Sequence, residues 1–344
     1  MDMLNERSKK VLYAIVQSYI IQPDPVGSRT ITKRYPFGLS PATIRNIMAD
    51  LEEMGFLKQP HTSAGRVPTD LGYRFYVDSI VQEGELYSNL EILLELQKKL
   101  DMLKNDIDSL LSETTRSLSM LSHYIGVAMS PSPDMTTLKK INMFKYRSDG
   151  IAVVLFTDEG LVKNKIIAVD SSITQKDLNR ISGYINSEFS GLTLDEIRTR
   201  IVKEMSREKA RCDNLIANAL EICKEALYFT ESSLFVSGLS GLLDLPDFTD
   251  LEKIRQLSKA IEDKHTIINL LDEIAETDGV QVIIGSENAT DEMKKLSIIV
   301  SPCKEEGRPI GVVGLIGPTR MNYAKAIYIV ENTAQLITQM LSER

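Results

Sequence analysis

Six cations, Arg29, Lys33, Arg34, Arg45, Lys58 and Arg66, occupy two stretches of this 344-residue chain that contain no carboxylates, between Asp24 and Asp50 and between Glu53 and Asp70. Cations without neighbouring acids suit a surface that meets a polyanion, because a carboxylate facing phosphates would repel them. The whole chain carries a formal charge of −8, which argues against a protein coated in basic surface. Residues 1–80, however, hold ten Lys and Arg against eight Asp and Glu, so the acid excess belongs to the remainder. Affinity for nucleic acid can therefore reside in one domain of an acidic protein.

Those cations need elements to position them, and the surrounding pattern supplies them. Leu4, Val11, Leu12, Ile15 and Tyr19 recur at helical spacing until the Pro23–Pro25 stretch, which predicts a first helix. Ser28 is the expected N-cap of a short second helix ending near Tyr35 and Pro36, since its hydroxyl can accept from unpaired first-turn N–H groups. Ser40 caps a third helix, Pro41 takes its first position, where a missing N–H costs nothing, and Gly55 stops it. Ile44, Met48 and Leu51 form its core face. Phe56 and Leu57, a polar turn and Val67 then read as a β-hairpin.

Three helices followed by a hairpin is the order of a winged helix-turn-helix. A recognition helix enters the major groove with its first turn foremost, so Ser40, Thr43 and Asn46 are the expected base-edge contacts. Arg45 lies beside them, within reach of a guanine edge or a phosphate. Ser28 and Arg29 would position the DNA backbone, while His61, Thr62, Ser63 and Arg66 lie on the wing. Each residue alone has an ordinary use, as a cap or a surface cation. Their joint, acid-free arrangement predicts DNA binding.

Signs of enzymatic chemistry are sparse. His61, His123 and His265 fall in three unrelated segments, and there is no G-x-S-x-G, H-E-x-x-H or G-x-x-x-x-G-K-[ST]. Gly307, Gly311, Gly314 and Gly317 alternate with Val, Leu and Ile, which reads as close strand packing and a tight turn at Gly317 and Pro318 instead of a phosphate loop. Cys212, Cys223 and Cys303 lack metal-ligand or disulfide-framework spacing and read as free thiols of a reducing compartment. No cofactor or metal is expected. The polar start, with Asp2, Asn5, Glu6 and Arg7, and the lack of a run of ~20 apolar residues predict a cytoplasmic protein without a membrane segment.

Beyond the hairpin, Thr69 can cap a helix whose Tyr73, Phe75 and Tyr76 would pack the wing domain against its C-terminal neighbour. Leucines from Leu86 to Leu121 at three, four and seven residue intervals predict one long amphipathic helix, read as one side of a globular domain in preference to a coiled coil. "KKINMFKY" and "GIAVVLFTDEGLVKNKIIAVD" read as antiparallel strands, followed by a helix over 175–189. Residues 190–265 look mostly helical around the short strand "SSLFVSG". Three strands and a closing helix complete the chain. Strands on both sides of a helical stretch predict an α+β domain with an insertion between its halves.

"PVGSRTITKRY", "LSPATIRNIMADLEEMGFLKQPHTSAGRVPTDLGYRFYVD" and "IGPTRMNYAKAI" resemble the HrcA family of heat-inducible transcription repressors, and the resemblance extends over essentially the whole chain. It implies an α+β multidomain homodimer: a winged-helix DNA-binding domain with linker helix (1–82), a GAF-like domain in two parts (83–189 and 266–344), and an inserted, mainly helical dimerisation domain (190–265). It further implies repression of chaperone operons through an inverted-repeat operator on double-stranded DNA, with support from the GroE chaperonin. Ile47 departs from the family pattern, which places an acidic residue there. The competing expectation is a metabolite-gated winged-helix regulator that uses the GAF-like domain as its sensor.

Overall fold

The computed structural model describes residues 4–342 except 62–63, 84–89, 104–105, 131–135, 148, 159, 169–172, 198, 201–232, 249 and 306. It is a mixed α and β molecule built in three units. The first contains α1 (Glu6–Ile21), α2 (Ser28–Arg34), α3 (Pro41–Glu53), the hairpin strands β1 (Leu57–Lys58) and β2 (Val67–Pro68), and α4 (Asp70–Glu83). Val11, Leu12, Ile15, Ile31, Ile44 and Leu51 are completely buried where the three helices meet. Each such side chain is worth roughly 1.5–3 kcal/mol of burial, enough to hold a short three-helix unit together. α2 starts differently from expectation: Gly27 is its N-cap and Ser28 its first helical residue, buried and accepting at its carbonyl from Thr32 Oγ1. With no side-chain oxygen at the cap, α2 leans on its packing.

The second unit is a five-stranded antiparallel sheet in the order β7 (Leu234–Ser237), β3 (Ile125–Met129), β10 (Arg308–Pro318), β9 (Leu296–Glu305), β8 (Gln281–Ile284). Its side chains alternate between two cores. Ala128, Ile299, Val313 and Leu315 face α5 (Leu90–Asp101), α6 (Ile107–Ser122) and α11 (Tyr323–Ser342). Val127, Ile298, Val300 and Val312 face α8 (Leu239–Leu243), α9 (Leu251–Glu262) and α10 (Lys264–Ala275). A Cβ on Gly314 would come 2.3 Å from Val300 and 2.4 Å from the Ile299 carbonyl, so Gly314 serves close strand packing; Gly307 has open space around it, and Gly317 and Pro318, read as a tight turn, are instead paired with Ser297 and Leu296 at the end of β10.

The third unit is a separate antiparallel sheet, β4 (Leu138–Arg147), β5 (Gly150–Thr157) and β6 (Val162–Ala168), backed by α7 (Gln175–Phe189). Leu138, Ile141, Val153, Leu155, Leu178 and Ile185 form its own core. It leaves the main sheet after β3 and returns before β7, where Ser130 N donates to Ser233 O at 3.0 Å and Ser233 N to Ser130 Oγ at 2.8 Å.

Two expectations change. The predicted helix over 86–121 is broken in two, because Asp106 caps a new start by accepting from Ser109 N. The predicted boundaries also fail to match the units: β4–β6 and α7 lie outside the five-stranded sheet, whereas β7, α8 and α9, placed in the insertion, belong to it. By connectivity the insertion is 131–232. Residues 201–232, within the stretch read as mostly helical, lie outside the described residues, as do Cys212 and Cys223.

The first two units are clamped together. Arg74 on α4 donates to both carboxylate oxygens of Glu287 and to Val282 O, and Asp70 accepts from Ser286 N at 2.9 Å. Arg320 donates to Ile20 O at 2.7 Å and to both oxygens of Asp247. Between these contacts Tyr73 packs on Tyr323, their ring centroids 5.8 Å apart. Phe75 and Tyr76 instead pack inside the first unit against Phe56 and Tyr13. No helix among the described residues is long and apolar enough to cross a membrane.

Candidate nucleic-acid interface

α3 begins where the sequence places it. Ser40 accepts from Thr43 N at 3.1 Å, its hydroxyl also meets the Thr43 hydroxyl at 2.9 Å, and Pro41 occupies the first turn. With Ile44, Met48 and Leu51 turned inward, Ala42, Thr43, Arg45 and Asn46 are left exposed. The acids of this helix, Asp50, Glu52 and Glu53, are confined to its last turns. A helix with this polarity presents its first half to a polyanion and keeps its charge of like sign at the far end. Ile47 is half-buried and packs on the unit's core, off the exposed strip.

Beside α3 lies a groove of about 470 Å³ lined by Gly27, Ser28, Arg45, Gln59, Gly65 and Arg66, among others. Arg29, Lys33 and Arg34 are exposed on α2, and Lys58 and His61 on the hairpin. Gln59 Nε2 donates to Ala64 O at 3.0 Å and closes the hairpin turn. Gly65 is indispensable there: a Cβ would sit 2.4 Å from the backbone of Val26.

Arg66 differs from its neighbours. Its Nε stands 2.7 Å from Glu52 Oε2, an ion pair by distance although the N–H is not aimed at the oxygen, and its side chain is 19% exposed.

The C-terminal 108–327 segment matches the model of the HrcA protein C terminal domain. Over 99% of each chain, the protein is 48% identical to the heat-inducible transcription repressor HrcA of Thermodesulfovibrio yellowstonii (strain ATCC 51303 / DSM 11347 / YP87). It is 42% identical to that of Geobacter sulfurreducens (strain ATCC 51573 / DSM 12127 / PCA), again over 99% of each. The chain belongs to the HrcA family of heat-inducible transcription repressors.

A solved structure of a protein described as hypothetical shares this chain's fold, with a TM-score of 0.65 at 24% identity over 99% of each. In this HrcA-family chain the sites read from sequence divide into three groups. Ser40, Thr43, Arg45 and Asn46 come together on one exposed end of α3, with Arg29 exposed on the neighbouring helix and His61 on the hairpin. Ser28 and Arg66 are drawn into the groove wall. Thr62 and Ser63 lie outside the described residues. Sequence reasoning missed Glu52 and Gln59, since their partners Arg66 and Ala64 reach them through a tertiary contact and a turn that no local pattern announces.

The HrcA relatives are named as transcription repressors, not as enzymes. Burial pushes the Cys303 thiol up to about 12, leaving it protonated and inert as a nucleophile.

Proposed function

We propose that residues 1–82 are a winged-helix DNA-binding domain, that the five-stranded unit is GAF-like, and that the protein represses chaperone operons as a homodimer on an inverted-repeat operator. The observation that carries this reading is the polarity of α3: an exposed, acid-free first half and carboxylates only in the last turns. The first half would enter the major groove, with Asn46 on base edges and Ser40 and Thr43 beside it. Arg45, turned toward the groove beside α2, together with Arg29 would hold phosphates. His61, with Thr62 and Ser63, would follow the flanking backbone.

Dimerisation is assigned to the inserted unit. The sheet face turned away from α7 carries Phe144, Tyr146, Val162 and Ile166, each at least half exposed. A contiguous apolar sheet face of this kind usually marks an association surface. Two linked DNA contacts gain much over one. Chaperonin support has a physical basis if the folded dimer is scarce without it; adding chaperonin should raise the operator-bound fraction of purified protein, and an unchanged fraction refutes this part.

Metabolite gating is less well supported: among the described residues, a cavity of about 180 Å³ beside Phe248, Leu257 and Leu296 falls below the ~300 Å³ of usual ligand clefts. The deciding experiment is a footprint on DNA upstream of the source organism's chaperonin operon, repeated across salt concentrations. Protection of two symmetric half-sites, with affinity falling steeply as salt rises, is expected. Absence of protection, or an affinity indifferent to salt, overturns the reading.

A further inference from the structure

The hairpin beside α3 is too short to hold its own angle. β1 and β2 contribute two residue pairs, Leu57 with Pro68 and Lys58 with Val67, and a hairpin of that size is marginal by itself. Its root is tied instead through Arg66. Val26 and Arg66 exchange both backbone hydrogen bonds, each 2.9 Å long, which joins the wing to the connection between α1 and α2. The Arg66 side chain then reaches Glu52 on the last turn of α3. One residue thereby links three elements of the DNA-binding unit. Its side chain is mostly covered, unlike Arg29 and Arg45, which are exposed.

We propose that Arg66 is a positioning residue, which locks the wing to the recognition helix through Glu52 and makes no phosphate contact itself. The inference rests on the DNA-binding reading above and assigns the wing angle to a latch inside the protein. Pairing also neutralises the helix carboxylate nearest the wing. Arg45, the other cation lining the groove, can then meet a phosphate without a competing acid.

The test uses full-length protein, a duplex from upstream of the source organism's chaperonin operon and a random duplex of equal length. Arg66→Ala and Glu52→Gln should each lower affinity for the operator duplex about ten-fold, the cost of one misplaced contact set, and leave random-duplex affinity and the salt slope unchanged. The double variant should be no worse than either single one, since both break the same latch. A phosphate contact gives a different pattern: Arg66→Ala then weakens both duplexes alike and reduces the salt slope by about one, and Glu52→Gln tightens binding. That pattern overturns the latch and leaves the DNA-binding reading standing. Equal losses on both duplexes with an unchanged slope mean a smaller folded fraction, and also overturn it. Failure of the unaltered protein to prefer the operator duplex overturns both.

Discussion

Arg45 and Asn46 are neighbours in sequence but face different ways on the helix. Asn46 points away from the core face, while Arg45 turns toward the groove with Ser28 and Gln59. Asn46→Ala should therefore cost about 1–3 kcal/mol on the operator and little on random DNA. Arg45→Ala should weaken both alike and flatten the salt dependence by about one contact. Titrations on the two duplexes distinguish these outcomes. Gly65 is constrained by space instead of charge: a Cβ 2.4 Å from Val26 forces the root of the hairpin apart. Gly65→Ala should destabilise the protein by about 1–3 kcal/mol, visible as a lower denaturant midpoint.

Among the secondary elements, α3 could be read from the chain because everything that defines it is local. Ser40, Pro41, the Ile44–Met48–Leu51 stripe and Gly55 fix its start, face and end within its own span. The long leucine pattern after residue 86 misled for the opposite reason. Asp106 interrupts it with a cap, and leucine spacing alone does not register a cap between two helices that share a face. The strand Ile125–Met129 was missed because its five residues are all buried and show no alternation. Which strands share a sheet is a non-local fact, and so the insertion was misplaced. The β4–β6 sheet offers its own test. Ile166→Glu puts a charge on the apolar face where Ile166 is 62% exposed, so the fold should survive while sedimentation reports a shift from dimer to monomer.

Across the whole molecule, the N-terminal unit is held to the five-stranded unit by Arg74, Asp70 and Arg320. Burial alone would raise the Glu287 carboxyl, but the hydrogen bonds from Arg74 and from Ile284 N outweigh it and hold the group below its ordinary 4.5. A carboxyl with a depressed folded value stabilises the clamp fully above the unfolded value near 4.5 and loses that contribution as pH falls through the lower one. Thermal midpoints should therefore drop on acidification through that window. In Arg74→Ala this part of the pH dependence should shrink, and an unaltered profile would remove Glu287 from the clamp.

The paired serines at 130 and 233 make the inserted unit a detachable appendage. Its entry and exit strands already run side by side, so a splice of about 2–5 residues in place of 131–232 would turn β3 and β7 into an ordinary hairpin. The shortened chain should remain folded, sediment as a single subunit and protect one half-site only. If it collapses instead, the appendage guides folding of the sheet from which it hangs.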